Sequence, residues 1–432
     1  MQTKLGSTRR RFLARTTALT ASVWSGLASI TSNAATSVTV AEAFDREMQQ
    51  FMKARNVPGG ALAVVKDLRL VYTRGYGWAD VEKKEPVRPE SLFRIASVSK
   101  PFTAAGILKL VESGRLDLEA RAFDILRLPP VLAPRKWPDA RLRHVTIRHL
   151  LHHTGGWDRD KSGDPMFQSS EIASAVGGPA PATPEEIIRY MLGRPLDFDS
   201  GSRYSYSNFG YCVLGRIIEK ISGAGYEQFT RQKVLAPIGI ERMRLGRTPE
   251  DARVGGEVKY YMPDRAQSSS VFPDVTGNVP VPYGGFCLES MDSHGGWLAS
   301  AVDLARFAAA LDDPKRDHWL KPKTRQILVE PPAPPASRRP NGALGNAFYG
   351  CGWMVRRLGG DGQANYWHNG SLPGTSTLLV RRFDGLSWAV LFNQRSNDPK
   401  KPDGAIDPAL HRAANAVTEW PGYNLFQEGR PA

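Results

Sequence analysis

The 432-residue chain has only three cysteines, too few to staple a fold of this length, so a disulfide scaffold is excluded. Three is also odd, so at least one of Cys212, Cys287 and Cys351 has no partner within the chain, and no local spacing marks a bridge. After the first 34 residues no run is long and apolar enough to span a bilayer. No Gly-x-Ser-x-Gly elbow occurs, which removes the usual nucleophile of an α/β-hydrolase. No G-x-x-x-x-G-K-[ST] loop occurs, so nucleotide hydrolysis has no support. His149 and His153 stand i, i+4, but Leu150 fills the place where H-E-x-x-H needs Glu, so a zinc-protease site is absent.

Acidic residues are missing from the first 34 positions, which hold Lys4, Arg9, Arg10, Arg11 and Arg15. The basic run ends in Phe12-Leu13, a mildly apolar stretch follows over 18–30, and small residues come next at 32–35. A basic region, a short apolar region and a small-residue cleavage site make a secretory signal. The paired arginines before Phe-Leu resemble a twin-arginine signal. Residues 1–34 are therefore read as a signal peptide and 35–432 as the mature protein, periplasmic or secreted. Removal at that point takes five of the fourteen net positive charges. The rest of the basic balance comes from 40 arginines against 17 lysines, spread without a stripe. That pattern argues against a nucleic-acid partner.

What is present is the mixture of a globular protein, 41% hydrophobic and 23% charged. Apolar runs at 60–66 and 70–73 predict a hairpin turning at 66–69. Helical spacing predicts helices over 101–113, 146–151, 208–222 and 300–311, with another starting at the Thr183-Pro184-Glu185-Glu186 capping box. After residue 346 strands are expected at 348–355, 366–368, 375–382 and 386–392, then a helix over 408–419. The run 331–335 reads as an irregular surface connection. Strands at both chain ends and helices between them predict one sheet built from both termini with a helical region inserted.

Three short motifs carry chemistry. Ser97-Val98-Ser99-Lys100 precedes a predicted helix, where a serine and a lysine three apart share one face. A partly desolvated lysine can take the serine proton, and a helix N-terminus offers N–H groups to an oxyanion. Tyr206-Ser207-Asn208 is the only Tyr-x-Asn in the chain. A phenol beside a lysine cation is expected to have a lowered pKa and to shuttle protons, and the amide can hold both lysine and substrate carbonyl. Trp367-His368-Asn369-Gly370-Ser371 lies on a predicted strand, expected to be an edge lining a substrate groove. There the N–H of Ser371 would join that of Ser97 as the oxyanion donors. His153 and His294 also fit H-x-G and Lys161 fits K-[ST]-G. Order and context exclude them: His153 and Lys161 come before Tyr206, and the glycines after His294 lead into a helix.

In this order the motifs resemble those of the serine β-lactamase and penicillin-binding-protein superfamily. The branch with class C β-lactamases, their esterase relatives and D-alanyl carboxypeptidases is the most similar. Framework segments at 93–103, 145–156, 204–211 and 295–300 support the resemblance, which covers roughly residues 40–420. It implies an α+β, β-lactamase-like fold: an antiparallel sheet built from both chain ends and flanked by helices, with a mainly helical subdomain over roughly 101–290. It implies a serine hydrolase working through an acyl-enzyme, without a cofactor or metal. Its substrate would be a small ester, amide or peptidoglycan-like molecule. Ser97 would be the acylated nucleophile, Lys100 and Tyr206 would share the acid and base work, and Asn208, His368 and Gly370 would bind substrate. Which of Lys100 and Tyr206 takes the first proton stays open. His368 occupies the place usually held by lysine in true class C β-lactamases. A mostly uncharged histidine there favours an esterase or peptidase over a β-lactamase. A catalytically silent binding module on the same fold is the alternative of another class, and the intact Ser97, Lys100 and Tyr206 set argues against it.

Overall fold

A computed structural model describes residues 37–132, 137–338, 342–359 and 362–427. The expected signal peptide lies outside the described residues. From Val38 onward the chain packs as one unit.

Its centre is an eight-stranded antiparallel sheet. The strands are β1 (Gly59–Lys66), β2 (Arg69–Asp80), β3 (Glu85–Pro86), β4 (Ala347–Tyr349), β5 (Met354–Arg357), β6 (Ala364–Leu372), β7 (Thr375–Arg381) and β8 (Leu386–Phe392), in the spatial order β3-β2-β1-β8-β7-β6-β5-β4. The two chain ends meet where β1 pairs with β8, Gly60 opposite Phe392. The hairpin between β1 and β2 turns through Asp67 and Leu68, both at positive φ (47° and 67°). Two such residues match the right-handed twist of the strands they join.

Both faces of β1 are covered, which explains its unbroken apolar run. Ala61, Ala63 and Val65 point into the larger core, while Leu62 and Val64 point into a second core on the opposite face. Helices α1 (Val40–Arg55) and α6 (Ile406–Ala416) cover that second face. Helix α5 (Ala301–Asp312) packs on the first, where its Ala305 and Phe307 join the larger core. The expected start of α6 at 408 moves to 406, and its end to 416.

The helical part of the chain holds α2 (Lys100–Glu112), α3 (Ile147–Leu151) and α4 (Asn208–Ser222). Thr146 caps α3 in a box with His149, and Thr183 caps Pro184–Leu192 with Glu186, as its sequence predicts. Helix α4 ends at Gly223 in the left-handed region.

Two expectations change. The single strand expected at 348–355 is two strands, because Gly352 at φ +78° turns the chain between them. A Cβ there would lie 3.0 Å from the Lys100 carbonyl oxygen, so this turn seats directly on the start of α2. Strand β6 is not an edge: β5 and β4 lie outside it. It pairs with β5 only over Ala364–Trp367, so 368–372 run past the end of β5. All three cysteines are free and buried. No described helix is long and apolar enough to cross a membrane.

Candidate active site

Ser97 sits in a single 3-10 turn, Ala96–Ser99, that leads straight into α2. The residue before it, Ala96, holds φ +48°, a conformation that costs a side-chain-bearing residue about 1–3 kcal/mol. The turn is fixed from several sides. Thr375 Oγ1 donates to the Arg94 carbonyl (2.9 Å), Thr377 Oγ1 donates to the Ile95 carbonyl (2.9 Å), and Ile95 N–H donates to Trp297 O (2.9 Å). A Cβ on Gly370 would lie 2.3 Å from Ile95 O and 2.3 Å from Thr377 Oγ1. Only glycine lets β6 pass this close to the turn that carries Ser97.

Lys100 is fully buried. Its Nζ lies 3.2 Å from Ser97 Oγ, 2.8 Å from Asn208 Oδ1 and 3.0 Å from the His294 carbonyl oxygen. Burial holds the amine well below the usual lysine pKa; the Asp164 carboxylate pulls it up and the Arg159 cation pushes it down. A neutral amine has two hydrogens and one lone pair. In that form Asn208 and His294 would accept the two hydrogens and leave the lone pair for the Ser97 hydroxyl.

Asn208, at the start of α4, donates from Nδ2 to Asp164 Oδ2 (2.7 Å). A carboxylate can only accept, so this contact fixes which end of the amide faces Lys100. Tyr206 precedes α4 and is half-buried. Lys100 Nζ stands 4.8 Å from its ring centre and Arg159 Cζ 4.9 Å from the same centre. The expected lowering of its pKa does not occur. Burial pushes the phenol above its ordinary value, against a smaller opposing effect of the Ser97 hydroxyl.

His368 faces the same interior but is enclosed. Its Nδ1 lies 2.7 Å from Asn369 O and its Nε2 2.9 Å from Tyr349 Oη. The carbonyl requires a hydrogen on Nδ1, so Nε2 accepts from the Tyr349 hydroxyl. Burial, with Lys100 nearby, lowers its pKa to about 3. The ring is neutral, and both nitrogens are engaged within the protein. Along β6 the pleat alternates: His368 and Gly370 are buried, while Asn369 and Ser371 are exposed.

The excluded histidines return in supporting places. His153 Nδ1 accepts from Ser207 N–H (3.1 Å), and its ring lies 4.3 Å from both Tyr206 and Tyr349. His294 enters through its carbonyl on Lys100, and Lys161 pairs with Asp197 (3.5 Å). Sequence reasoning misses Arg159, Asp164 and Tyr349. The first starts a four-residue helix and the second caps a three-residue 3-10 turn, elements with no periodicity to read. Among the described residues no group of three or more His, Cys, Asp and Glu side chains could hold a metal ion.

Comparisons with known proteins bear on the family and the fold. The Beta-lactamase family model matches residues 44–412. Penicillin-binding protein 4* of Bacillus subtilis is 28% identical over 346 residues, 79% of this chain and 69% of that protein. Esterase EstB of Burkholderia gladioli is 31% identical over 205 residues, 47% of this chain and 50% of the esterase. The octameric penicillin-binding protein homologue from Pyrococcus abyssi superposes with a TM-score of 0.64 at 25% identity, covering 89% of this chain and 80% of that one. The match over most of the chain, on the antiparallel sheet described above, shows that this chain belongs to the Beta-lactamase family.

Proposed function

We propose that the protein is an exported serine hydrolase that opens an ester or amide through an acyl-enzyme on Ser97. The observation that carries the reading is the buried Lys100 amine, 3.2 Å from Ser97 Oγ with its other two contacts taken by acceptors. Lys100 is the base: burial disfavours its charged form, and the same effect keeps Tyr206 protonated. Lys100 takes the Ser97 proton as Oγ attacks the carbonyl carbon. The N–H groups of Ser97 and Ser371 hold the oxyanion. Tyr206 gives its proton to the leaving oxygen or nitrogen and recovers one from the Lys100 ammonium. Water then releases the acid from Ser97 by the reverse set of transfers. Asn208 keeps one Nδ2 hydrogen beyond its bond to Asp164 for a substrate carbonyl. His368 acts through Tyr349 and shapes the wall of the groove, while Gly370 sets the distance between β6 and Ser97.

A neutral, enclosed His368 supplies no charge for the carboxylate of a β-lactam. That supports ester or amide hydrolysis of the esterase or D-Ala-peptidase kind, ahead of β-lactam hydrolysis. The esterase and penicillin-binding protein among the relatives support the same choice. Export rests on the N-terminal sequence alone. The test is a panel of 4-nitrophenyl butyrate, a D-Ala-D-Ala peptide and a cephalosporin, run on wild type and Ser97→Ala. Turnover of the ester or peptide, with kcat falling about 10³-fold or more in Ser97→Ala, is expected. No turnover of any of the three would favour a silent binding module.

A further inference from the structure

We propose that Arg159 forms an anion subsite that selects substrates bearing a carboxylate on the acyl side of the scissile bond. The inference deepens the acyl-enzyme reading and rests on it.

Arg159 is exposed, yet its guanidinium lies over the Tyr206 ring, the ring that Lys100 also faces. The carboxylates on its own segment are engaged elsewhere. Asp158 pairs with Arg203 (2.6 Å) and Asp164 accepts from Asn208. Asp197, which packs against the segment, accepts from Ser162 Oγ (2.6 Å) and pairs with Lys161. Asp160 is the next residue along a helix, and adjacent helical side chains do not face each other. Among the described residues Arg159 takes part in no ion pair. The other cations near the site are committed: Lys100 is buried on Ser97, and Lys161 and Arg203 have carboxylate partners.

An arginine placed over an aromatic ring can still present its fork of N–H donors, which suits bidentate contact with a carboxylate. The side is set by the segment itself. Residues 158–167 supply both Arg159 and Asp164, and Asp164 holds Asn208, whose remaining Nδ2 hydrogen is assigned to a substrate carbonyl; the proposal takes that carbonyl to belong to the acyl part. With His368 neutral and its ring 6.4 Å from that of Tyr206, Arg159 is the unpaired cation beside the same ring that can read substrate charge. The ligand class is a monoester or monoamide of a short dicarboxylic acid.

The test compares 4-nitrophenyl monoesters of glutaric acid with 4-nitrophenyl butyrate on wild type, Arg159→Gln and Arg159→Lys. The readout is the ratio of kcat/KM for the anionic ester to that for the neutral one. It should fall about tenfold in Arg159→Gln, mainly through KM on the anionic ester, recover in part in Arg159→Lys, and shrink at high salt in wild type. An unchanged ratio in an enzyme that hydrolyses butyrate overturns the subsite and leaves the serine-hydrolase reading standing. If wild type hydrolyses neither ester, that reading falls and binding decides the subsite. Monomethyl glutarate titrated calorimetrically should then bind wild type and lose about tenfold in affinity in Arg159→Gln, and equal or absent binding in both overturns it.

Discussion

At the scale of single residues, two opposite charges act on one lysine, the proposed base. Lys100 must be neutral to accept a proton, so kcat/KM rises with pH as its ammonium deprotonates. Asp164 favours the ammonium and Arg159 disfavours it. Removing the carboxylate in Asp164→Asn lowers the Lys100 pKa further, so the rise moves to lower pH. Removing the cation in Arg159→Gln raises that pKa, so the rise moves to higher pH. A pH profile of kcat/KM for the three proteins checks this, and shifts in the same direction, or none, would contradict it. Asp164→Asn should also lose about tenfold in kcat/KM, since the substituted side chain no longer fixes the Asn208 amide.

At the scale of elements, the position of Ser97, the proposed nucleophile, depends on how closely a strand approaches a turn. Gly370→Ala would place a methyl group 2.3 Å from Ile95 O and from Thr377 Oγ1. Strand β6 or the Ala96–Ser99 turn must then shift, at a cost of about 1–3 kcal/mol. Thermal unfolding should show a lowered Tm and the ester assay a larger loss than at exposed Ser371→Ala, which keeps its backbone N–H. Equal activity of Gly370→Ala and wild type would show that the close approach does not set the site. The same comparison shows what sequence makes legible. Ser97, Lys100, Tyr206, Asn208 and Gly370 lie where their spacing marks them: Ser97 in a 3-10 turn before the helix that Lys100 starts, Tyr206 and Asn208 on either side of the Ser207 N-cap, and Gly370 in a strand. The β1–β2 hairpin and α4 follow from alternating and helical periods. Helix α1 carries a capping box at Thr39 and Glu42 and apolar residues at three- and four-residue spacing, yet the periodicity reading assigns no element before Gly60. Arg159, Asp164 and Tyr349 have no such local marks. Their positions follow from tertiary packing of short helices and of a strand broken at Gly352.

At the scale of the whole molecule, the buried histidines make stability depend on pH. His152, His153, His294 and His368 are all buried, and burial lowers the pKa of each, to about 4 for His152 and about 3 for His368. In the unfolded chain these rings protonate near pH 6.5. Below that pH the unfolded state therefore binds more protons than the folded state, and stability falls as pH falls. His152 and His368 each remove about 1 kcal/mol per pH unit between pH 6 and their folded values, and His153 and His294 act in the same direction. Tm should drop more steeply from pH 6 to 4 than from pH 8 to 7, where the depressed Lys100 amine gives a slope of the same sign. A Tm unchanged down to pH 4.5 would contradict the buried, neutral placement of these rings. The net positive charge, +9 for residues 35–432, adds a self-repulsion that grows as acidity increases and acts in the same direction.

The central claim is that Ser97 becomes acylated with Lys100 as its base. Intact-protein and peptide mass spectrometry after treatment with a fluorophosphonate tests it directly. Wild type should gain one adduct on the peptide containing Ser97, at a rate that rises with pH. Ser97→Ala should gain none, and Lys100→Ala should label at least about a hundredfold more slowly. Labelling of Ser97→Ala at the wild-type rate, or an adduct on a different serine, would contradict the account.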